Sequence, residues 1–247
     1  MRPAKQARLL LKRRWQPAIT VQCIGCTAVL FLLVAERLLC RWLTPSLGGY
    51  AVWAAAALAI IADLLLTSPL RVGQSHFYRA LAGGSPEAPI RVWHMYRHGG
   101  YRKTVSWRLG LWLRRAGWTL LFGFPAAAVF AYAVYCRQTG LTDPLSQMLY
   151  LLSTVTAAGL LIAALIVTQL VMLRYMPAQY LLAEEPTAKA AFRRAKQMMK
   201  GKTGEAAGLY LGFSGWLFAC LFGLPYFYAA PLFFTTRAEW VARNQKV

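Results

Sequence analysis

The alternation of apolar and polar stretches along the chain is far coarser than the period of a strand or of an ordinary surface helix. After a basic head, Met1 to Gln16, one apolar run extends from about Pro17 to Leu39 and a second from about Gly49 to Leu70. A third lies near Ala116 to Tyr135 and a fourth near Leu145 to Met172. Such runs are too long for strands, and a backbone surrounded by hydrocarbon must satisfy its own hydrogen bonds, which a helix does within one segment. At ~1.5 Å per residue, roughly 20 residues cross the apolar part of a bilayer. Each run therefore predicts a membrane-spanning helix. Pro125 predicts a kink in the third, and the fourth is expected to continue past Pro177 to Leu182 at the membrane surface.

The polar stretches between these runs have patterns of their own. Arg71 to Arg115 carries nine basic residues and one acidic one, Glu87. It predicts helix at both ends, broken at "AGGSPEAP" and "RHGGY", where Gly and Pro punctuate. In "TAKAAFRRAKQMMKG", Thr187 to Gly201, the residues Ala188, Ala191, Phe192, Ala195, Met198 and Met199 fall on one helical stripe. Lys189, Arg193, Lys196 and Lys200 run down the other side, which predicts an in-plane amphipathic helix with its apolar face toward lipid or protein. Pro186 suits its first turn and Gly201 its stop. Glu184 and Glu185, just ahead, are placed to favour its amino end through the helix dipole. Ala206 to Phe234 is apolar but interrupted by Gly208, Gly212, Gly215, Gly223, Pro225 and Pro231. It reads either as one tilted span or as a hairpin of two short spans turning near "FGLP".

Composition agrees with a membrane solvent and adds orientation. The 247 residues are 58% hydrophobic and 15% charged, with 28 Lys and Arg against eight Asp and Glu, net +20. In a membrane protein such an excess marks cytoplasmic loops facing anionic lipid. Six spans leave only Arg37, Arg41 and Arg137 of the basic residues outside. Five spans move Arg237, Arg243 and Lys246 outside as well and weaken the asymmetry, so six are preferred. The expected fold is an all-α polytopic transmembrane helix bundle, a single integral membrane domain over residues 1–247, with both ends cytoplasmic. Its parts are the basic head (1–16), the basic cytoplasmic segment (71–115), the amphipathic interfacial helix (187–201) and a short helical hairpin (206–240). The first apolar run follows a basic head without a small-residue cleavage site after it and is expected to be retained as an anchor. Nucleic acid is set aside as the reason for the charge, because no zinc-finger spacing or RNA-binding aromatic signature is present. The five cysteines lie in apolar segments or at their ends and make no disulfide framework, and the "CIGC" pair suits close helix packing. No internal repeat stands out.

Three stretches together resemble a bacterial family of polytopic membrane proteins, domain of unknown function 975. They are "TSPLRVGQSHFYRALAGG", "YMPAQYLLAEEP", and "AAFRRAKQMMKG" followed by "GFSGWLF" and "LPYFYAAPLFF". The chain departs from the pattern in "TAAGLLIAAL", where a Pro-Gly pair is expected, and in "AEEP", which replaces an Asp-Asn-Pro, so a distant member is implied. The resemblance implies a six-helix protein of the bacterial inner membrane and supplies no activity. A fainter similarity to the membrane domain fused to glycerophosphodiester phosphodiesterases points to lipid surroundings.

Candidate chemistry is sparse. Asp63, in "AIIADLLL", is the only carboxylate well inside an expected span, and such an acid is by default a proton or cation site or the partner of an Arg. His94 and His98, four apart, share a helix face but lack a third ligand, and no "HExxH" or "GxSxG" occurs. Glu184 and Glu185 are adjacent and do not converge as an acid/base pair. No enzyme activity, metal or cofactor is therefore expected. The expected working surface is cationic, comprising Lys189, Arg193, Lys196 and Lys200 with Arg97, Arg102 and Lys103. Its expected partners are anionic headgroups of the lipid bilayer or another membrane protein. These features predict a non-enzymatic accessory protein or lipid-interacting scaffold. The alternative is a transporter or export component whose polar path involves Asp63, Thr168 and Gln169.

Overall fold

The computed structural model describes residues 3–12, 14–85, 88–97, 100–138, 143–219, 223 and 225–245, and these contain helices and no strand. In chain order the α-helices are α1 (Pro3–Leu11), α2 (Trp15–Leu47), α3 (Ala51–Ala62), α4 (Ser68–Ala82), α5 (His94–Arg97) and α6 (Gly100–Gln138). They are followed by α7 (Pro144–Leu173), α8 (Ala178–Leu181), α9 (Ala188–Met198), α10 (Thr203–Gly212), α11 (Ser214–Ala219) and α12 (Tyr226–Gln245). Among the described residues, three stretches are long and apolar enough to cross a membrane: Trp15–Ala82, Gly100–Gln138 and Pro144–Leu181.

The first stretch, 68 residues long, doubles back on itself. α2 ends at Gly48, whose φ of 54° lies in the left-handed region that a side chain disfavours. A single 3₁₀ turn, Gly48–Tyr50, follows, and α3 then packs along α2. The first two apolar runs are thus the two arms of one hairpin. α3 passes through a π-helical turn, Asp63–Thr67, into α4. There the pattern changes from uniformly apolar to amphipathic, and α4 buries Leu70, Val72, Phe77, Tyr78 and Leu81.

The chain divides into two compact units, residues 1–109 with 175–247, and residues 110–174. α4 is the hub of the first, in contact with α2, α8, α12 and the 3₁₀ segment Pro89–Trp93. Tyr78 stacks on Phe234 with ring centroids 5.5 Å apart, and Trp15 stacks on Tyr228 at 4.8 Å. Gly73 of α4 lies directly under the 3₁₀ segment, where a Cβ would sit 2.8 Å from the Val92 carbonyl carbon. The second unit holds the later part of α6 and all of α7. It buries small residues, Ala126, Ala133, Ala157 and Ala164, while Leu120, Phe124, Leu151 and Val155 are exposed. Continuous apolar surface of this extent is an aggregation liability in water and is ordinary against hydrocarbon.

Among the described residues, the three qualifying stretches take in four of the six expected spans, the first stretch being folded back. The shortfall lies at the carboxyl end, where the Gly and Pro interruptions take effect. α10 has ten residues and α11 six, with a break at Phe213. α12 runs antiparallel to them, through Trp216 against Tyr228 and Phe213 and Tyr210 against Phe233. α12 has 20 residues, but its second half is buried in protein from Thr235 to Val241, including Arg237 and Glu239. Of the expected "FGLP" turn, only Gly223 and Pro225 are among the described residues; Gly223 has φ 76°.

Candidate functional site

The helical period of 187–201 is realised in α9. Thr187 caps it, its Oγ1 accepting from the Ala190 amide at 3.2 Å, so Pro186 stands ahead of the cap and not in the first turn. Ala188, Ala191, Phe192 and Ala195 are buried, and so is Met199 just beyond. That face lies against protein: α8 packs on α9, and Phe192 meets Tyr175 edge-on at 5.6 Å. Lys189, Arg193, Lys196 and Lys200 are exposed on the far side. None of the four has an ion pair or side-chain hydrogen bond with a described residue.

The other expected cations separate. Arg102 is exposed. Lys103 turns inward and donates to the Glu185 carbonyl at 2.6 Å, which withdraws it from a lipid-facing surface. The Arg97 side chain and all of His98 lie outside the described residues. Among the described residues of this part of the chain, Trp93, Tyr96 and Tyr101 form a chain of rings, with centroids 5.4 and 6.4 Å apart. The Tyr96 phenol donates to the Leu66 carbonyl, and burial, with Tyr101 beside it, raises its pKa. His94 is exposed, and no group of three metal-ligating side chains occurs among the described residues.

Glu184 and Glu185 are more than a prelude to α9. Arg79 of α4 donates to the Glu184 carboxylate, to the Tyr180 carbonyl and, at 2.6 Å, to Gln245 Oε1. Arg194 of α9 pairs with Glu185 at 2.7 Å and with Glu184 at 3.9 Å. The two acids therefore tie α4, α9 and α12 together and hold α9 with its cationic face outward.

Asp63 sits at the π-helical turn. Its Oδ1 accepts from Thr67 Oγ1 at 2.8 Å, and its Oδ2 lies 3.4 Å from an Arg108 nitrogen. The side chains are 28% and 13% exposed, so the pair is neither fully buried nor freely solvated. Among the roles expected of Asp63, the contact the structure displays is that of partner to an Arg. A double-mutant cycle with Asp63→Asn and Arg108→Gln is expected to give a coupling of about 1 kcal/mol in thermal unfolding in nonionic detergent. Additive effects would reduce the pair to mere proximity. Of the other two residues of the expected path, both in the second unit, Thr168 is buried and Gln169 is exposed.

One residue stands out that charge counting alone treats as part of the tail. Arg237 of α12 is only 9% exposed. Its guanidinium carbon lies 5.3 to 5.9 Å from the ring centroids of Tyr180, Tyr210, Phe233 and Phe234. Its Nε is buried without an acceptor, and no described residue accepts a hydrogen bond from the rest of the group. The signal in the sequence is the aromatic pair Phe233-Phe234 one turn before an Arg.

Among the described residues, these features define an all-helical protein with three stretches able to cross a membrane and a docked amphipathic helix whose cationic row has no partner. The chain belongs to the family described as protein of unknown function (DUF975), whose family model matches residues 116–241. No curated protein and no solved structure matches it.

Proposed function

We propose that the protein is a multi-pass protein of the bacterial inner membrane that acts without catalysis, as an accessory or lipid-interacting scaffold at the cytoplasmic face. The observation that carries this reading is the α9 row. Four cations, Lys189, Arg193, Lys196 and Lys200, have no partner among the described residues. The opposite face of the same helix is docked on protein, so the row is held in place without needing lipid to fold. At about 1 kcal/mol per cation near an anionic surface, four contribute several kcal/mol, screened as salt rises. Arg102 adds to the same charge balance. The transport alternative is weaker, because the carboxylate it needs, Asp63, is committed to Arg108 and Thr67.

The test uses the full chain in phosphatidylcholine nanodiscs with and without phosphatidylglycerol. A fluorophore is placed at exposed Gln197 in a background without native cysteines and read by headgroup-bound quencher. Quenching is expected to rise severalfold with phosphatidylglycerol and to fall back when the four cations become Gln or salt is raised to about 0.5 M. Equal quenching in the two lipids would remove the headgroup reading and leave a protein partner as the target of the row.

A further inference from the structure

A cavity of about 650 Å³ opens in the first unit between α2, α4, α8 and α12. Its walls change character from one part to another. Gln22, Gln74, Gln179, Arg71 and Arg237 supply the polar part, and Val29, Leu30, Leu33 and Leu70 the apolar part. No Asp or Glu among the described residues lines it. Gly25 makes room for the polar part: a Cβ there would stand 3.3 Å from Gln74 Cδ, and Gln74 Nε2 reaches past it to the Val21 carbonyl at 2.9 Å. The glutamines are already used in part. Gln22 Nε2 donates to Tyr78 at 2.9 Å, and its Oε1 accepts from Tyr226 at 3.4 Å.

At this cavity the Arg237 guanidinium is the group without an acceptor among the described residues. A buried Arg has five N–H donors, and aromatic faces compensate its charge but do not accept its hydrogen bonds as an oxygen would. Among the described residues Arg237 has rings around it and no acceptor. Glu239, the nearest acid along α12, is two residues on and about 200° around the helix. Arg71, at the same cavity, is exposed and likewise has no ion pair among the described residues. Two cations without an acid make an anion site, and phosphate or carboxylate oxygens suit a guanidinium fork. The apolar walls decide what the anion is attached to. Leu30 and Leu33 are 62% and 53% exposed on α2, inside a stretch able to cross a membrane, so the cavity opens sideways onto the surface that hydrocarbon would cover.

We propose that this cavity binds one anionic phospholipid, its phosphate against Arg237 with Arg71 at the rim and one acyl chain leaving along Val29, Leu30 and Leu33. The volume is within the usual range of about 300–1,000 Å³ for ligand pockets and takes a headgroup with the start of a chain. The site rests on the reading of the chain as a membrane protein and not on the α9 row.

The experiment is native mass spectrometry of the delipidated full chain in a neutral detergent, titrated separately with phosphatidylglycerol, phosphatidylcholine and glycerol 3-phosphate. One phosphatidylglycerol is expected to be retained by the wild type, with at least tenfold weaker retention of phosphatidylcholine and none of glycerol 3-phosphate. Arg237→Gln is expected to weaken phosphatidylglycerol at least tenfold, and Arg237→Lys to weaken it less. The Lys189, Arg193, Lys196 and Lys200 to Gln variant is expected to keep it, which separates this site from the α9 surface. Should Arg237→Gln fail to fold, Leu33→Trp carries the test by filling the cavity mouth and displacing the same lipid. Undiminished binding in Arg237→Gln or in Leu33→Trp overturns the proposal, and so does equal binding of glycerol 3-phosphate, which would make this a soluble-phosphate site.

Discussion

Gly73→Ala is expected to destabilise the first unit by about 2–3 kcal/mol or to prevent its folding, although the same change in an unencumbered helix gains about 1 kcal/mol of propensity. The sign is set by what lies above the residue. A Cβ at position 73 would penetrate the Val92 carbonyl oxygen and stand 2.8 and 3.0 Å from the Val92 carbonyl carbon and Cα. These are backbone atoms of the 3₁₀ segment Pro89–Trp93 and cannot swing aside as a side chain can. Relief would require lifting that segment off α4 and exposing Val92, which is fully buried. Thermal unfolding in nonionic detergent checks this, at about 2–4 °C per kcal/mol for a chain of this size. The control is Gly117→Ala in α6, where nothing lies within 4 Å of the added carbon. It is expected to be neutral or slightly stabilising. Equal melting of the two variants would mean that the 3₁₀ segment is not docked on α4.

Replacing Arg79 with Met is expected to cost about 2–4 kcal/mol and to loosen α12 and α9 together. Three acceptors from two distant parts of the chain converge on this guanidinium, those of Tyr180 and Glu184 on one side and of Gln245 on the other. The side chain is 15% exposed, so most of those bonds are made out of water, and hydrogen bonds to charged groups contribute about 1.5–3 kcal/mol each before losses. Glu184 is 47% exposed, and its ion pair is discounted accordingly to about 1 kcal/mol or less. Arg79→Lys keeps a point charge but not the fork, and is expected to recover about half of the loss. A cycle with Glu184→Gln separates the contributions. Coupling well above 1 kcal/mol would show that the carboxylate, and not the carbonyl and amide acceptors, dominates. Hydrogen exchange should show the loss of protection spreading to 188–198 and 226–245 together, because the same cluster restrains both helices.

α9 shows how far periodicity reaches. The spacing of Ala188, Ala191, Phe192 and Ala195 alone separates a buried face from the exposed Lys189, Arg193, Lys196 and Lys200. It leaves open what covers the buried face, because lipid and protein are equally apolar to a helical wheel; Tyr175 and α8 decide that. The family is legible too, through ordered short motifs, and the matched residues 116–241 include two of the three. Asp63 is conspicuous by its chemistry, yet its partner Arg108 is 45 residues away and no local pattern selects it from the other cations of 71–115. Lys103 and Arg102 are neighbours of equal charge, and among the described residues only Lys103 finds a carbonyl. The carboxyl-terminal segment was legible as a broken apolar stretch. Whether its helices lie in lipid or in protein depends on which elements reach them, and the second half of α12 is buried among α1 and α4.

What the amino-acid order determined by itself is the all-helical class, the stretches that avoid water and the face of α9 that carries charge. Each depends on residue hydrophobicity and on the local geometry of a helix, both of which are properties of contiguous sequence. Tertiary structure alone decided the fate of individual polar groups: Lys103 and Arg79 bound to acceptors, the α9 row without them among the described residues, Arg237 enclosed by rings beside a cavity. Burial of a charge is costly unless a partner lies within a few ångströms, and residues far apart in the chain meet at that distance only once the helices have packed.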